Sequence, residues 1–141
     1  IENKKRGTNM LTYKNYNVNP KNRKTGDCST RAIVGCLGIK YEEALKLQFE
    51  EALKCYYDIT SHQVIERVLA KFGYVKMKQP RKIDNKKYEV REMDQVLDAR
   101  IRSNGVIVNV ANHYVAIKGS EYIDIWDSGR KCVGNYYIKV R

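Results

Sequence analysis

The chain has 141 residues, of which 43% are hydrophobic and 30% charged, and it carries a formal net charge of +11. This length fits a single domain that can bury a core of its own, and the hydrophobic content is that of an ordinary globular protein. No apolar run approaches the about 18 residues that a membrane helix needs, so we expect no membrane partner. The first residues are polar and basic and lack the apolar segment of a secretion signal, so we expect a cytoplasmic protein.

The basic residues are concentrated in two segments. Residues 1–26 contain seven Lys or Arg residues against one Glu, and residues 76–91 contain seven more against two acidic residues. This charge favours a polyanion or an acidic protein surface as partner, although solubility is the plainer explanation. Tyrosines lie in or beside both segments, and aromatic rings next to cations can stack on bases. Nucleic acid is therefore a candidate partner, even though no known nucleic-acid-binding motif is present.

Four cysteines are present, and none of them belongs to a C-x-x-C pair. Without a secretion signal, we expect Cys28, Cys36, Cys55 and Cys132 to be free thiols in a reducing compartment. Zinc sites usually show paired ligands at short spacing, so the sequence predicts neither a metal site nor a cofactor.

The first part of the chain predicts an arm followed by helices. Residues 1–26 are polar and are expected to form a basic extended arm or loop ahead of one domain over residues 27–141. A first helix should begin at Asp27 or Cys28 and stop at Gly38. A second helix is predicted over residues 41–56. Its inward apolar stripe is predicted to consist of Leu45, Phe49, Ala52, Leu53 and Tyr56.

The rest of the chain predicts two more helices and then a sheet. A third helix should begin at a capping box over residues 60–63 and end at Gly73, and a fourth is predicted over residues 91–102. The hydrophobic period then changes from helical to alternating, which is typical of strands. Strands are predicted over residues 74–77, 106–110, 114–118, 122–126 and 136–140. Helices followed by an antiparallel sheet indicate an α+β fold.

Cys28 is the strongest candidate for chemistry. It is predicted at the N-terminal end of a helix, where unpaired N–H groups and the helix dipole favour the nucleophilic thiolate. Gly26 just before it permits a tight entry into the helix and a close approach of a substrate backbone. Cys36 and Cys55 lie on apolar stripes and Cys132 lies near a turn, so we interpret these three as packing residues.

Of the two histidines, His62 is interpreted as a surface residue, whereas His113 opens a strand, where an imidazole can face a cleft as a general base. If the following hairpin centres on Ser120, His113 lies directly opposite Asp127, with Cβ atoms about 4.5–5.5 Å apart. Asp124 would then lie on the other face. Asp127 is therefore predicted to orient His113 unless the register slips by one residue. The alternative is that Asp127 only caps its own turn.

The arrangement of Cys28, His113 and Asp127 predicts a cysteine hydrolase. His113 would take the proton of Cys28 and later give it to the leaving group. An oxyanion hole would combine the Cys28 backbone N–H with a side-chain amide. Asn22 is the nearest upstream amide, with Asn19 behind it.

Short motifs around these residues resemble those of papain-like cysteine peptidases, most closely the bacteriocin-processing leader peptidases. The resemblance implies a papain-like α+β fold, in which N-terminal helices carry the nucleophile at a helix start and pack on a C-terminal antiparallel sheet. The first motif, with Arg31-Ala32 after it, also resembles ovarian-tumour-type deubiquitinases. The motifs are Gly26-Asp27-Cys28, His113-Tyr114-Val115-Ala116-Ile117 and Trp126-Asp127-Ser128-Gly129.

A closer resemblance, to a group of uncharacterised bacteriophage and prophage proteins, covers most of the chain from Met10 onward. It implies a phage context and the cytoplasm of a host cell. The segments that carry it are Asn19-Pro20-Lys21, Arg23-Lys24-Thr25-Gly26-Asp27-Cys28, Arg31-Ala32-Ile33 and Val133-Gly134-Asn135-Tyr136-Tyr137.

Two functions follow from the sequence. The first is a cysteine hydrolase, a peptidase or an isopeptidase/amidase, with a peptide or protein substrate whose acidic character would match the basic segments. The second is a non-enzymatic phage accessory protein that keeps the fold and binds a host protein or nucleic acid through its basic surface. The glutamine usual in papain-like oxyanion holes is absent, with Asn22 at best in its place. The short chain suits an enzyme that acts on a terminus, a flexible tail or an isopeptide.

Overall fold

The structure, a computed structural model, describes residues 10–140 and confirms an α+β fold. No helix within these residues is long and apolar enough to cross a membrane. The helices are α1 (Cys28–Leu37), α2 (Tyr41–Cys55), α3 (His62–Ala70), a 3-10 helix (Val90–Gln95) and α4 (Ala99–Ser103).

The strands form one six-stranded sheet in the order β1-β5-β4-β3-β6-β2. The pairing of β1 with β5 is parallel, and the other neighbours are antiparallel. The sheet is therefore mixed rather than purely antiparallel as the sequence predicted. The strands are β1 (Thr12–Asn15), β2 (Tyr74–Met77), β3 (Val106–Val110), β4 (His113–Lys118), β5 (Glu121–Asp124) and β6 (Tyr136–Lys139).

The strand that makes the sheet mixed lies in the predicted arm. Leu11 is 4% exposed, and its N–H donates to the Arg91 carbonyl at 2.9 Å. The four residues of β1 pair with β5 at one edge of the sheet. An edge strand with one exposed face needs few apolar residues, so the polar sequence gave no strand signal. Residues 1–9 of the predicted arm lie outside the described residues.

Hydrophobic cores lie on both faces of the sheet, because alternate residues of its central strands point to opposite sides. Tyr114 and Ala116 of β4 belong to the core under α1, α2 and α3. Val115 and Ile117 belong to a second core, which the 3-10 helix and the segment around Val133 cover. The central strands are therefore buried on both faces.

Helix α2 covers nearly the predicted residues, but it buries a different face from the one predicted. Phe49 is 51% exposed and Leu53 is 74% exposed, whereas Gln48 and Glu51 are buried. The Gln48 side chain donates to the Ser29 hydroxyl at 3.0 Å and accepts from the Thr30 hydroxyl at 2.6 Å. Ala52 packs against the core as predicted, but the prediction was wrong for Phe49, Leu53 and Tyr56. Specific hydrogen bonds and ion pairs turn a polar face of α2 towards the core instead.

Two helix starts also differ from the sequence prediction. Helix α3 is capped by Ser61 rather than Thr60, since the Ser61 hydroxyl accepts from the Val64 N–H at 3.3 Å. The predicted helix over residues 91–102 is divided into the 3-10 helix and α4. Asp98 begins α4 by accepting from the Ile101 N–H at 2.8 Å.

The orientation of α2 predicts unequal effects of one substitution at two leucines. Leu69 is 1% exposed in the core, so Leu69→Ala should lower the free energy of unfolding by about 2–5 kcal/mol. Leu53→Ala on the exposed face should change it by no more than about 0.5 kcal/mol. Urea denaturation measures both. Equal losses at the two positions would mean that α2 presents its apolar stripe to the core after all.

Candidate active site

Helix α1 places Cys28 at its first residue. The preceding residue, Asp27, occupies the N-cap position, but its side chain makes no capping hydrogen bond. Its carboxylate binds Arg31 and Tyr41 instead, so it does not occupy the N–H groups of the first helical turn. These N–H groups and the helix dipole favour a negative charge on the sulfur of Cys28.

The first residue of β4 supplies the partner of Cys28. His113 follows the turn at Asn112, which has a φ of 55°, and it lies close enough to the Cys28 side chain to lower the pKa of the thiol. Helix α1 packs closely on β4, because Gly35 leaves room for it: a Cβ at Gly35 would come within 2.9 Å of the Ala116 Cβ. This close approach brings the N-terminus of α1 to the start of β4.

The titration of the two groups is shifted in opposite directions. Burial on its own would raise the pKa of Cys28, but hydrogen bonds from His113 and the Tyr114 backbone, with the charges of His113 and Arg31, hold it below its ordinary value. Burial would lower the pKa of His113, but the hydrogen bonds and charges of Asp124 and Cys28 raise it to about 9. Both shifts therefore move the pair towards a thiolate and an imidazolium.

The carboxylate that holds His113 is Asp124, which is 2% exposed. Its Oδ2 accepts from His113 Nε2 at 2.6 Å and from the Ser128 hydroxyl at 2.9 Å. Its Oδ1 accepts from the Ile125 N–H at 2.8 Å and from Arg31 Nη1 at 3.1 Å. Burial alone would raise the pKa of Asp124, but these hydrogen bonds and the charge of His113 hold it low. Since Nε2 faces Asp124, Nδ1 of the ring is left for Cys28.

The predicted contact between His113 and Asp127 was wrong, because the β4–β5 hairpin has a different register. Lys118 pairs with Glu121 across a turn of two residues, so the hairpin does not centre on Ser120. Continued along the strands, this register puts Asp124 one diagonal position from His113 on the same face. Diagonal neighbours lie within reach of long side chains.

Asp127 stabilises its own turn instead. It accepts from the Tyr122 hydroxyl at 2.7 Å and from the Gly129 N–H at 2.9 Å. This is the alternative role that the sequence left open. The signal for the true register was present in the sequence, because a Gly at the first position of a two-residue loop is typical of a type II′ hairpin turn, and Gly119 has a φ of 62°.

Arg31 links the nucleophile's helix to Asp124, a role that the sequence analysis missed. Its side chain is 9% exposed, and its Nε donates to Asp27 Oδ1 at 2.8 Å while its Nη1 reaches Asp124. Asp27 also accepts from the Tyr41 hydroxyl at 2.8 Å and from Asn19 Nδ2 at 3.2 Å. Spacing alone signals the first pair, since Asp27 and Arg31 are four residues apart on one helix.

The predicted oxyanion donor, Asn22, lies in an exposed turn, where its N–H donates to the Asn19 carbonyl at 2.9 Å. Within residues 10–140, its side chain makes no hydrogen bond to Cys28 or His113. The amide of Asn19 is occupied by Asp27. Neither predicted side-chain amide is thereby confirmed as an oxyanion donor, which leaves the predicted backbone N–H of Cys28.

Trp126 covers the outer side of His113. The two ring centroids lie 5.0 Å apart with an interplanar angle of 31°, and the indole is 41% exposed. In the observed register, Trp126 takes the position opposite His113 that the sequence analysis gave to Asp127. It thereby forms one wall beside the imidazole.

The remaining cysteines and His62 lie away from this site. Cys36 is buried and donates to the Tyr74 hydroxyl at 3.3 Å, and burial raises its pKa to about 12. Cys55 lies at the end of α2, Cys132 is exposed, and His62 begins α3 on the surface.

Residues 10–140 hold no group of three or more His, Cys, Asp or Glu side chains that could bind a metal ion. Compared with known proteins, the chain matches no protein-family model, no curated protein and no solved structure. Its function is therefore inferred from the geometry around Cys28.

Because Asp124 holds His113 and Asp127 holds its own turn, the same Asp→Asn substitution should have different effects at the two positions. Asp124→Asn should raise the pKa of Cys28, and each unit of that rise lowers the thiolate fraction about tenfold at pH values below it. Asp127→Asn should leave the reactivity of Cys28 unchanged. The measurement is the alkylation rate of Cys28 at pH 6, with circular dichroism to verify folding. A slower rate in Asp127→Asn alone would restore the predicted register.

Removal of the Arg31 charge should destabilise the fold. Arg31→Met leaves two buried carboxylates without their cation, which costs about 3–5 kcal/mol of unfolding free energy. Arg100→Met, at an exposed position of α4, is the matched control and should be nearly neutral. Urea denaturation of the two variants compares them, and a neutral Arg31→Met would show that the two ion pairs contribute little.

Proposed function

We propose that this protein is a cysteine hydrolase that cleaves an amide or isopeptide bond through an acyl-enzyme. One observation carries the proposal: a cysteine at a helix N-terminus lies beside a histidine that lowers the pKa of its thiol, and a buried carboxylate holds the Nε2 atom of that histidine. A packing cysteine has no need of this arrangement. An activated thiol is typically paired with a base that takes its proton and with a group that orients this base.

The catalytic cycle follows from the positions of these groups. The Cys28 thiolate attacks the carbonyl carbon and forms a C–S bond, while the carbonyl π electrons move to the oxygen. His113, protonated, gives its proton to the leaving nitrogen as the C–N bond breaks, which leaves a thioester. His113, now neutral, takes a proton from water, whose oxygen attacks the thioester carbonyl. The carboxylic acid and the thiolate separate, and the imidazolium is restored.

Two groups support these steps without forming bonds to the substrate. Asp124 keeps the imidazole ring in place and stabilises its protonated form, as the 2.6 Å hydrogen bond indicates. The oxyanion that develops on the substrate would be held by the backbone N–H groups at the start of α1, which the Asp27 side chain does not occupy. Preformed donors of this kind stabilise the tetrahedral intermediate.

A papain-like architecture and a phage context are the finer parts of the proposal. The order of the elements supports the first, because a helix carries the cysteine and later adjacent strands carry the histidine and the aspartate. The phage context, and with it the host cytoplasm, rests on the sequence motifs alone. A peptide or protein substrate suits a site whose cysteine and histidine are both partly exposed.

The proposal predicts that Cys28 is alkylated rapidly at pH values where an ordinary thiol is protonated. Its lowered pKa means that the thiolate persists as the pH falls below about 8.5, the ordinary thiol value. The inflection in the pH dependence of the iodoacetamide rate constant at Cys28 should therefore lie below that of an ordinary thiol. His113→Ala removes the hydrogen bond and the charge that lower this pKa, so the inflection should move upward.

Mass spectrometry can follow Cys28, the exposed Cys132 and the buried Cys36 in the same sample. Cys36 should stay unmodified while the protein is folded. A Cys28 rate that tracks Cys132 at every pH, and that His113→Ala leaves unchanged, would contradict the hydrolase. The non-enzymatic binding protein would then be the better description.

A further inference from the structure

A second cavity lies next to the candidate active site, because the residue before His113 lines it. A cavity of about 400 Å³ opens between the β3–β4 turn and the segment that leads into β6. Asn112, the residue before His113, lines one side of it, and Lys131 and Cys132 line the other. The cavity takes no part in holding Cys28, His113 or Asp124.

The walls of the cavity are held by the backbone. The Gly134 N–H donates to the Asn109 carbonyl at 2.7 Å, and the Asn109 N–H donates to the Asn135 carbonyl at 2.9 Å. The Gln79 side chain donates to the Val133 carbonyl at 2.9 Å. These bonds tie β3 to the following segment, so the cavity exists before any ligand binds, as pockets for small groups usually do.

The charged side chains that line the cavity are all positive. Lys87 and Lys131 line it, and no carboxylate does. Within the described part of the chain, neither lysine forms an ion pair, unlike Lys82, which pairs with Glu92 at 2.9 Å. The side chains of Asn109 and Asn112 make no hydrogen bond to other described residues. Two lysines without an ion pair and two asparagines without a side-chain hydrogen bond to a described residue therefore line the same space.

A line of contacts joins the cavity to the imidazole. Lys131 Nζ lies 5.9 Å from the centroid of the Trp126 ring, and that ring lies 5.0 Å from the ring of His113. His113 is the group that gives a proton to the leaving nitrogen in the proposed cycle. A substrate segment that departs with this nitrogen would pass Trp126 and reach the lysines.

We propose that this cavity binds a carboxylate-bearing segment on the leaving-group side of the substrate. The inference rests on the proposed hydrolase, because it assigns the bound segment to a substrate. The binding itself does not require catalysis. The two lysines select the negative charge, and the open amides of Asn109 and Asn112 bind the neighbouring peptide groups. An acidic peptide is thus preferred over a neutral one of the same length.

Cys132 provides a reporter, because it is exposed and lines the cavity. In a Cys28→Ala protein, the alkylation of Cys132 by the neutral reagent iodoacetamide is measured with hexaglutamate, hexaglutamine or neither, and Cys55 serves as the reference in the same chain. Hexaglutamate should slow Cys132 alone, by about tenfold when nine-tenths of the sites are filled. Added salt should weaken this protection.

Two charge-matched variants locate the effect. Lys87→Gln with Lys131→Gln should abolish the protection by hexaglutamate, whereas Lys46→Gln with Arg100→Gln, which removes the same charge from other exposed positions, should retain it. Each variant is compared with itself without peptide, so a change in the intrinsic reactivity of Cys132 does not enter the result.

Three results would overturn the proposal: no protection by hexaglutamate, equal protection by hexaglutamine, or equal loss of protection in both double variants. A thymidine hexanucleotide that protects at lower concentration than hexaglutamate would also overturn it, and would assign the cavity to a nucleic acid. Because Cys28 is absent from this experiment, its failure leaves the hydrolase untouched. The pH dependence of Cys28 alkylation tests that function separately.

Discussion

The ion pairs of Arg31 are the constraint on which the site depends. A guanidinium that is 9% exposed lies between the carboxylates of Asp27 and Asp124, which belong to elements far apart in the chain. Asp27 directly precedes the nucleophile, and Asp124 holds the imidazole. One side chain therefore sets the position of both halves of the catalytic pair, and a planar guanidinium with several donors can do so where a lysine ammonium would contact its partners less specifically.

The charges along this path alternate in sign. The series runs from Asp27 through Arg31, Asp124 and His113 to Cys28. Its members are anion, cation, anion, cation and anion when His113 is protonated and Cys28 is a thiolate, and each interacts with the next. Burial of a single charge is costly, whereas a connected series in which every member has a partner offsets much of that cost. The thiolate is the last member of the series, and Cys28 is only partly buried, so the series ends at a group that a substrate can reach.

Some parts of the structure could be predicted from local sequence patterns, whereas others depend on contacts between distant residues and could not. The start of α1 at Cys28 and the strand Val106–Val110 were predicted because the apolar patterns that signal them lie within a few residues of the chain. The orientation of α2 was missed because Gln48 and Glu51 are buried by partners from other elements. Of the site, Cys28 and His113 were brought together as predicted, whereas the aspartate was misplaced by a one-residue error of register. Arg31 and Trp126 act through contacts that no short motif contains.

The two-residue connection between Lys118 and Glu121 makes the site depend on the length of a loop. Side chains alternate along a strand, so one residue added to this connection would move Asp124 to the opposite face and carry its hydrogen bond away from His113. Two added residues could be absorbed as a longer loop without changing which face is presented. A substitution in the turn therefore changes only the conformation of the turn. An insertion of one residue instead moves the side chain of every later residue of β5 to the other face of the sheet.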